Sequence, residues 1–135
     1  MADFECCIRT NYFRVKDEKK LRDILSAIEA NGEIKLWDAV FEEQKCFCFG
    51  CNGDIWGSDS DTCNFEDDLA EIGKILPDKE ALVLIKVGHE KLRYLCGIAY
   101  IVTNQNVESI DLEGLAIDKA KEMLNDRHFQ TQTHY

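Results

Sequence analysis

Proline occurs once, at Pro77, and no serine- or glycine-rich tract interrupts the 135 residues. Flexible linkers are built from such tracts, so one domain over 1–135 is expected, with a polar tail at 126–135 that is only loosely held. No apolar run approaches the ~18 residues that a membrane helix needs, so no membrane association is expected. Met1 to Glu5 carries neither a basic stretch nor an apolar run of the kind that leads a secreted chain. A cytoplasmic location is therefore the expectation. Catalytic signatures are also missing: no phosphate-cradling glycine loop, no G-x-S-x-G elbow, and no H-E-x-x-H, because His89-Glu90 lacks the second histidine. His128 and His134 lie near the chain end. A Cys96–His89 nucleophile pair has no spacing to recommend it. Neither an enzyme nor a cofactor is expected.

Apolar residues make up 45% of the chain, enough to bury a core despite the 31% that are charged. A chain of this length buries about two-thirds of its unfolded surface, so it needs no staple. Basic residues are few: 16 Lys and Arg face 26 Asp and Glu, for a net charge of −10. The excess is uneven. Residues 51–75 hold Asp54, Asp59, Asp61, Glu66, Asp67, Asp68 and Glu71 against Lys74 alone, a local charge of −6. Such a field repels phosphate, which argues against direct nucleic-acid binding and for a basic partner surface. A solvated face, with acids at a helix N-terminus, would give the same composition. Trp56 stands among these acids, either as an aromatic anchor for a partner or as a core residue closing the loop. Together, Asp54, Trp56, Asp59, Asp61, Glu66, Asp67, Asp68 and Glu71 form the candidate contact surface.

The seven cysteines are an odd count, which fits free thiols in a reducing compartment better than a disulfide framework. Cys46, Cys48 and Cys51, with Cys63 farther on, supply four thiols, the number a tetrahedral zinc takes. Cys46 and Cys48, however, read as alternate positions of one strand, where they share a face as small buried hydrophobes. No metal is expected.

Glu5 to Val15 reads as a strand. Asp17 caps a helix whose Leu21, Ile24, Leu25 and Ile28 recur at helical spacing, and Asn31-Gly32 ends it. Ile34–Glu43 and Lys45–Trp56 read as two strands, the second broken at Gly50 and Asn52-Gly53. Asn64 caps a helix with Phe65, Leu69, Ile72 and Leu76 on one side, and Pro77 stops it. Ala81–Val87 is almost wholly apolar, as in a central strand covered on both faces. Gly88 to Lys91 reads as a turn, Leu92–Thr103 as a long strand, and Val107–Ile110 as a short one. A last helix carries Leu112, Leu115, Ala116, Ala120, Met123 and Leu124. Trp37 falls in an apolar alternation and is expected in the core. The fold class is α+β: an antiparallel sheet with a ferredoxin-like (split βαβ) core, extra strands, a C-terminal helix, and helices packed on one face.

The segments Thr10-Asn11-Tyr12-Phe13-Arg14-Val15, Leu76-Pro77 and Gly88-His89-Glu90-Lys91-Leu92-Arg93-Tyr94 resemble a family of small acidic proteins. These are encoded on conjugative elements and phages of anaerobic gut bacteria. The likeness continues through Ala120-Lys121-Glu122-Met123-Leu124, Phe129-Gln130-Thr131 and the terminal Tyr135, and it leaves out the cysteine cluster. It implies a genomic setting that includes inhibitors of host defence, among them anti-CRISPR and anti-restriction proteins, some of which imitate DNA with carboxylates. The basic surface of a host defence protein is then the expected partner. The alternative is a small-molecule or nucleotide-binding sensor on the same sheet. Its mark would be a pocket joining Arg14, Arg93, His89 and Tyr94.

Overall fold

The computed structural model describes residues 4–133; the N-terminal Met1–Asp3, His134 and Tyr135 lie outside the described residues. Its elements in chain order are β1 (Glu5–Thr10), α1 (Glu18–Ala27), β2 (Glu29–Ala30), β3 (Ile34–Phe41), β4 (Gln44–Cys51) and β5 (Ile55–Gly57). There follow α2 (Phe65–Gly73), β6 (Leu82–Glu90), β7 (Tyr94–Val102), β8 (Val107–Asp111) and α3 (Leu112–Leu124). The class is α+β. Six strands form one sheet in the order β3-β4-β1-β6-β7-β8, with each neighbouring pair antiparallel, and β2 pairs with β5 in a small second sheet.

Strand alternation divides the large sheet into two unlike faces. Register places Ile8 beside Cys51 and Lys86, and Leu84 beside Tyr100, on one face. That face meets α1 and α2. Leu21 and Leu25 of α1 and Leu69 and Ile72 of α2 pack there with Phe13, Phe49, Leu82 and Val102. Burying such side chains stabilises a fold by roughly 1.5–3 kcal/mol each, so this layer dominates the stability.

The opposite face corrects three expectations. Alternate residues of β6, Ile85 and Val87, are about half exposed, so the apolar Ala81–Val87 run is central in the sheet yet covered on one side only. Trp37 is 43% exposed on this face, with the Arg9 guanidinium 5.6 Å from its ring centroid. And α3 crosses this face: a Cβ placed on Gly97, whose neighbours Cys96 and Ile98 point to the core side, would meet Leu112. The helices therefore lie on both faces. Periodicity marks a helix's apolar side and says nothing about which side of a sheet receives it.

Other boundaries move for local reasons. β1 stops at Thr10, and Phe13 returns to pair with Phe47 as a single bridge. The Asp17 side chain caps α1 by accepting from the Lys20 N–H. The helix ends at Ala27, before Asn31-Gly32, because Glu29 and Ala30 leave in extended form to pair with β5. Gly88–Glu90 belongs to β6, so the hairpin turn falls at Lys91–Arg93. The tail is tied down as far as it is described: Thr133 donates from its backbone N–H (3.0 Å) and its hydroxyl to Glu113 at the start of α3.

Candidate functional site

The acidic segment 51–75 folds into β5, a loop and α2 on the side of the sheet that α1 and α2 cover. Gly57, with φ of +114°, lets the chain pass so close to α2 that any Cβ would strike the Asn64 Oδ1 and the Phe65 nitrogen. The loop after it is held by its own polar groups. Ser58 donates to Asp68 from both its N–H and its hydroxyl, each at 2.7 Å, and the Asp59 N–H donates to Asn64 Oδ1 at 2.7 Å. Asn64 thus sits at the N-cap position but spends its side chain on the loop and leaves α2 without a side-chain cap.

Beside this loop lies a cavity of about 450 Å³, lined by Trp56, Tyr100, Asp54, Glu66, Asp67 and Lys86 among others. Lys86 emerges from the core side of β6 and pairs with Asp54 at 2.9 Å. Burial pulls the ammonium's pKa down, but the hydrogen bond and charge of Asp54 outweigh this, and the net shift is upward. Its charge is therefore fixed and already matched. Burial, reinforced by nearby Glu66, pushes the Tyr100 phenol up, so it stays a hydrogen-bond donor at neutral pH. Two further carboxylates, Glu66 and Asp67, leave the lining net negative. Aromatic rings beside carboxylates suit a cationic group, a guanidinium or an ammonium, better than an anion.

The eight predicted contact residues divide. Asp59, Asp61, Glu66 and Asp67 are exposed, and among the described residues none of them forms an ion pair. Trp56 lines the cavity with its ring partly open to solvent. Asp54 is held by Lys86 and Glu71 by Lys74 at 2.9 Å. Asp68, 7% exposed, is a loop anchor and no contact residue. Lys86 and Tyr100 were missed, although a lone lysine within the Ala81–Val87 run was a legible signal: a charge there needs a partner.

The other groupings weighed in the sequence do not come together. Cys46 and Cys48 are buried on the open side of the sheet, Cys51 faces the core, and Cys63 lies exposed in the loop. Among the described residues no cluster of three or more His, Cys, Asp or Glu side chains is placed to hold a metal ion. Cys96 pairs with Gly88 and His89 with Leu95, so alternation sends the two side chains to opposite faces. Arg14 binds Glu80 and Gln44 beyond one end of β1, whereas His89 meets Glu5 at the other. A pocket joining Arg14 and His89 is thereby excluded. No helix among the described residues is long and apolar enough to cross a membrane. Compared with protein-family models, curated proteins and solved structures, the chain matches none of them.

Proposed function

We propose that the protein is a protein-binding inhibitor that presents the β5–α2 face to a basic surface of a host protein targeting nucleic acid. In this reading it is an anti-CRISPR-like or anti-restriction accessory protein of a mobile element, acting in the cytoplasm without catalysis or cofactor. Asp59, Asp61, Glu66 and Asp67 stand where DNA phosphates would, and the Trp56 cavity receives one arginine or lysine of the partner. The observation that carries the reading is four exposed carboxylates without cationic partners beside an aromatic-lined cavity. The same charges disfavour direct contact with nucleic acid. The scaffold is read as ferredoxin-like, with β6-β1-β4-β3 as the split βαβ core, α1 and α2 in its crossovers, and β7 and β8 as extensions. The sensor alternative has less support, since Arg14 lies beyond the other end of β1 from His89.

Capture from a bacterial host lysate tests the proposal. The expected catch is a nucleic-acid-binding protein whose complex is displaced by competing duplex DNA. A variant with Asp59→Asn, Asp61→Asn, Glu66→Gln and Asp67→Asn should bind it at least tenfold more weakly. Undiminished binding by that variant would remove the acidic-face mechanism.

A further inference from the structure

The sheet face opposite the candidate site is apolar and largely bare. Trp37, Ile85, Val87, Leu95, Leu112 and Leu115 lie on it, each 43–64% exposed. With Phe41 and Ile110 they expose on the order of 800 Å², the contribution of one partner to a standard protein–protein interface. They fall in two groups, Trp37 and Phe41 on β3 being set apart from the rest by Arg9 on β1. Helix α3 covers only the β7–β8 end. None of its residues is buried, although Leu112, Leu115, Met123 and Leu124 are large and apolar. Between α3 and the sheet runs a groove of about 270 Å³ lined by Ile85, Val87, Gly97, Ala99, Ile110 and neighbouring leucines.

We propose that a second copy of this chain docks on this face, the two sheets stacking about a two-fold axis with both α3 helices between them. Shape supports it. One half of the face carries a helix. The other half, over β1 and β4, carries none and is covered only by its own side chains, Trp37 and Arg9 lying over the buried Cys48 and Gly50. A two-fold rotation therefore lays each α3 over the partner's helix-free half. Charge supports it as well. The chain carries −10, yet strand alternation puts Glu5 and Glu108 against Arg9 and Lys35 on this face. Helix α3 adds Glu113, Asp118 and Glu122 against Lys119 and Lys121, which brings the face to −1, so two copies meet there with little repulsion. The acidic β5–α2 surfaces then point outward on both sides.

Sedimentation equilibrium of the full chain at micromolar concentration tests this. The expected species has twice the 15.5 kDa chain mass. Val87→Lys and Leu95→Lys, each placing an ammonium in the apolar interface, should raise the dimer dissociation constant at least tenfold while leaving circular dichroism unchanged. A second readout needs no variant. Cys7 is exposed on the same face and Cys63 in the distant loop, so dilution should speed maleimide labelling of Cys7 and leave Cys63 unaltered. A wild-type chain that stays monomeric overturns the proposal. So does a dimer that survives both lysines, or one whose formation leaves Cys7 labelling unchanged.

Discussion

Glu80 shows how one side chain joins two distant segments. It accepts hydrogen bonds from the Arg14 backbone N–H and Nε, both at 2.9 Å, and from the Ala81 N–H at 3.1 Å. Burial alone would raise its pKa; these bonds and the Arg14 charge outweigh it and hold the carboxyl below its usual range. Removing a part-buried, charged hydrogen-bond acceptor costs about 1.5–3 kcal/mol, so Glu80→Ala should lower stability by that order in urea unfolding at pH 7. The sign of the pH dependence follows from the downward shift. The contribution is complete above the ordinary glutamate pKa of about 4.3 and fades as pH falls through the lower folded value. Wild type and variant should therefore converge in acid. Cys6 is the opposite case. Burial, the largest influence, pushes its thiol up to about 11, so at pH 8 it is almost wholly protonated. Iodoacetamide at that pH should modify exposed Cys63 well before Cys6, as peptide mass spectrometry would read.

At the scale of elements, the β3–β4 hairpin closes through Glu42 and Glu43 with φ of +51° and +64°. Both residues occupy the left-handed region that a two-residue hairpin turn requires and that asparagine and glycine fill more readily. Relief of about 1–2 kcal/mol per residue is the usual scale, so Glu42→Asn with Glu43→Gly should raise the thermal midpoint. A lowered midpoint would mean that the glutamates make contacts beyond the turn. The two strands were legible, although their expected spans carry the first through the turn to Glu43 and the second on to Trp56, whereas β3 ends at Phe41 and β4 at Cys51. Helix α2 was legible from Phe65, Leu69, Ile72 and Leu76. What the sequence could not convey depends on pairings distant in the chain. The early end of α1 follows from β2 meeting β5, and the Lys86–Asp54 pair spans 32 positions. The site was half legible for the same reason: composition located the acids but could not separate the anchor, Asp68, from its exposed neighbours. Asp68→Ala should cost about 1–3 kcal/mol by orphaning the Ser58 donors. Neutralising Asp59, Asp61, Glu66 and Asp67 should leave the unfolding midpoint nearly unchanged.

For the whole molecule, the distribution of charge decides how a partner would be met. Residues 51–75 hold −6 of the net −10, and pairing with Lys86 and Lys74 occupies Asp54 and Glu71. The field that reaches solvent comes chiefly from Asp59, Asp61, Glu66 and Asp67, on the side of the sheet that α1 and α2 cover. The apolar face is turned the other way, so a two-fold dimer through that face would carry two such acidic surfaces outward, and a partner with two basic sites would gain avidity. Exposed charges act across about 10 Å at 0.1 M salt and about 3 Å at 1 M. Encounter with a basic partner, not the final packing of Trp56, is then the step that salt weakens. Surface plasmon resonance against the captured partner should show an association rate that falls at least tenfold across that range, with dissociation changing far less. The four-fold Asn and Gln variant should associate slowly at every salt concentration and lose most of this slope. Glu71→Gln should reduce it only modestly, because it removes one unit of negative charge from the face by leaving Lys74 uncompensated. If salt accelerates dissociation and leaves association alone, the carboxylates act as buried contacts in the finished complex, and steering by the acidic face is the wrong account of recognition.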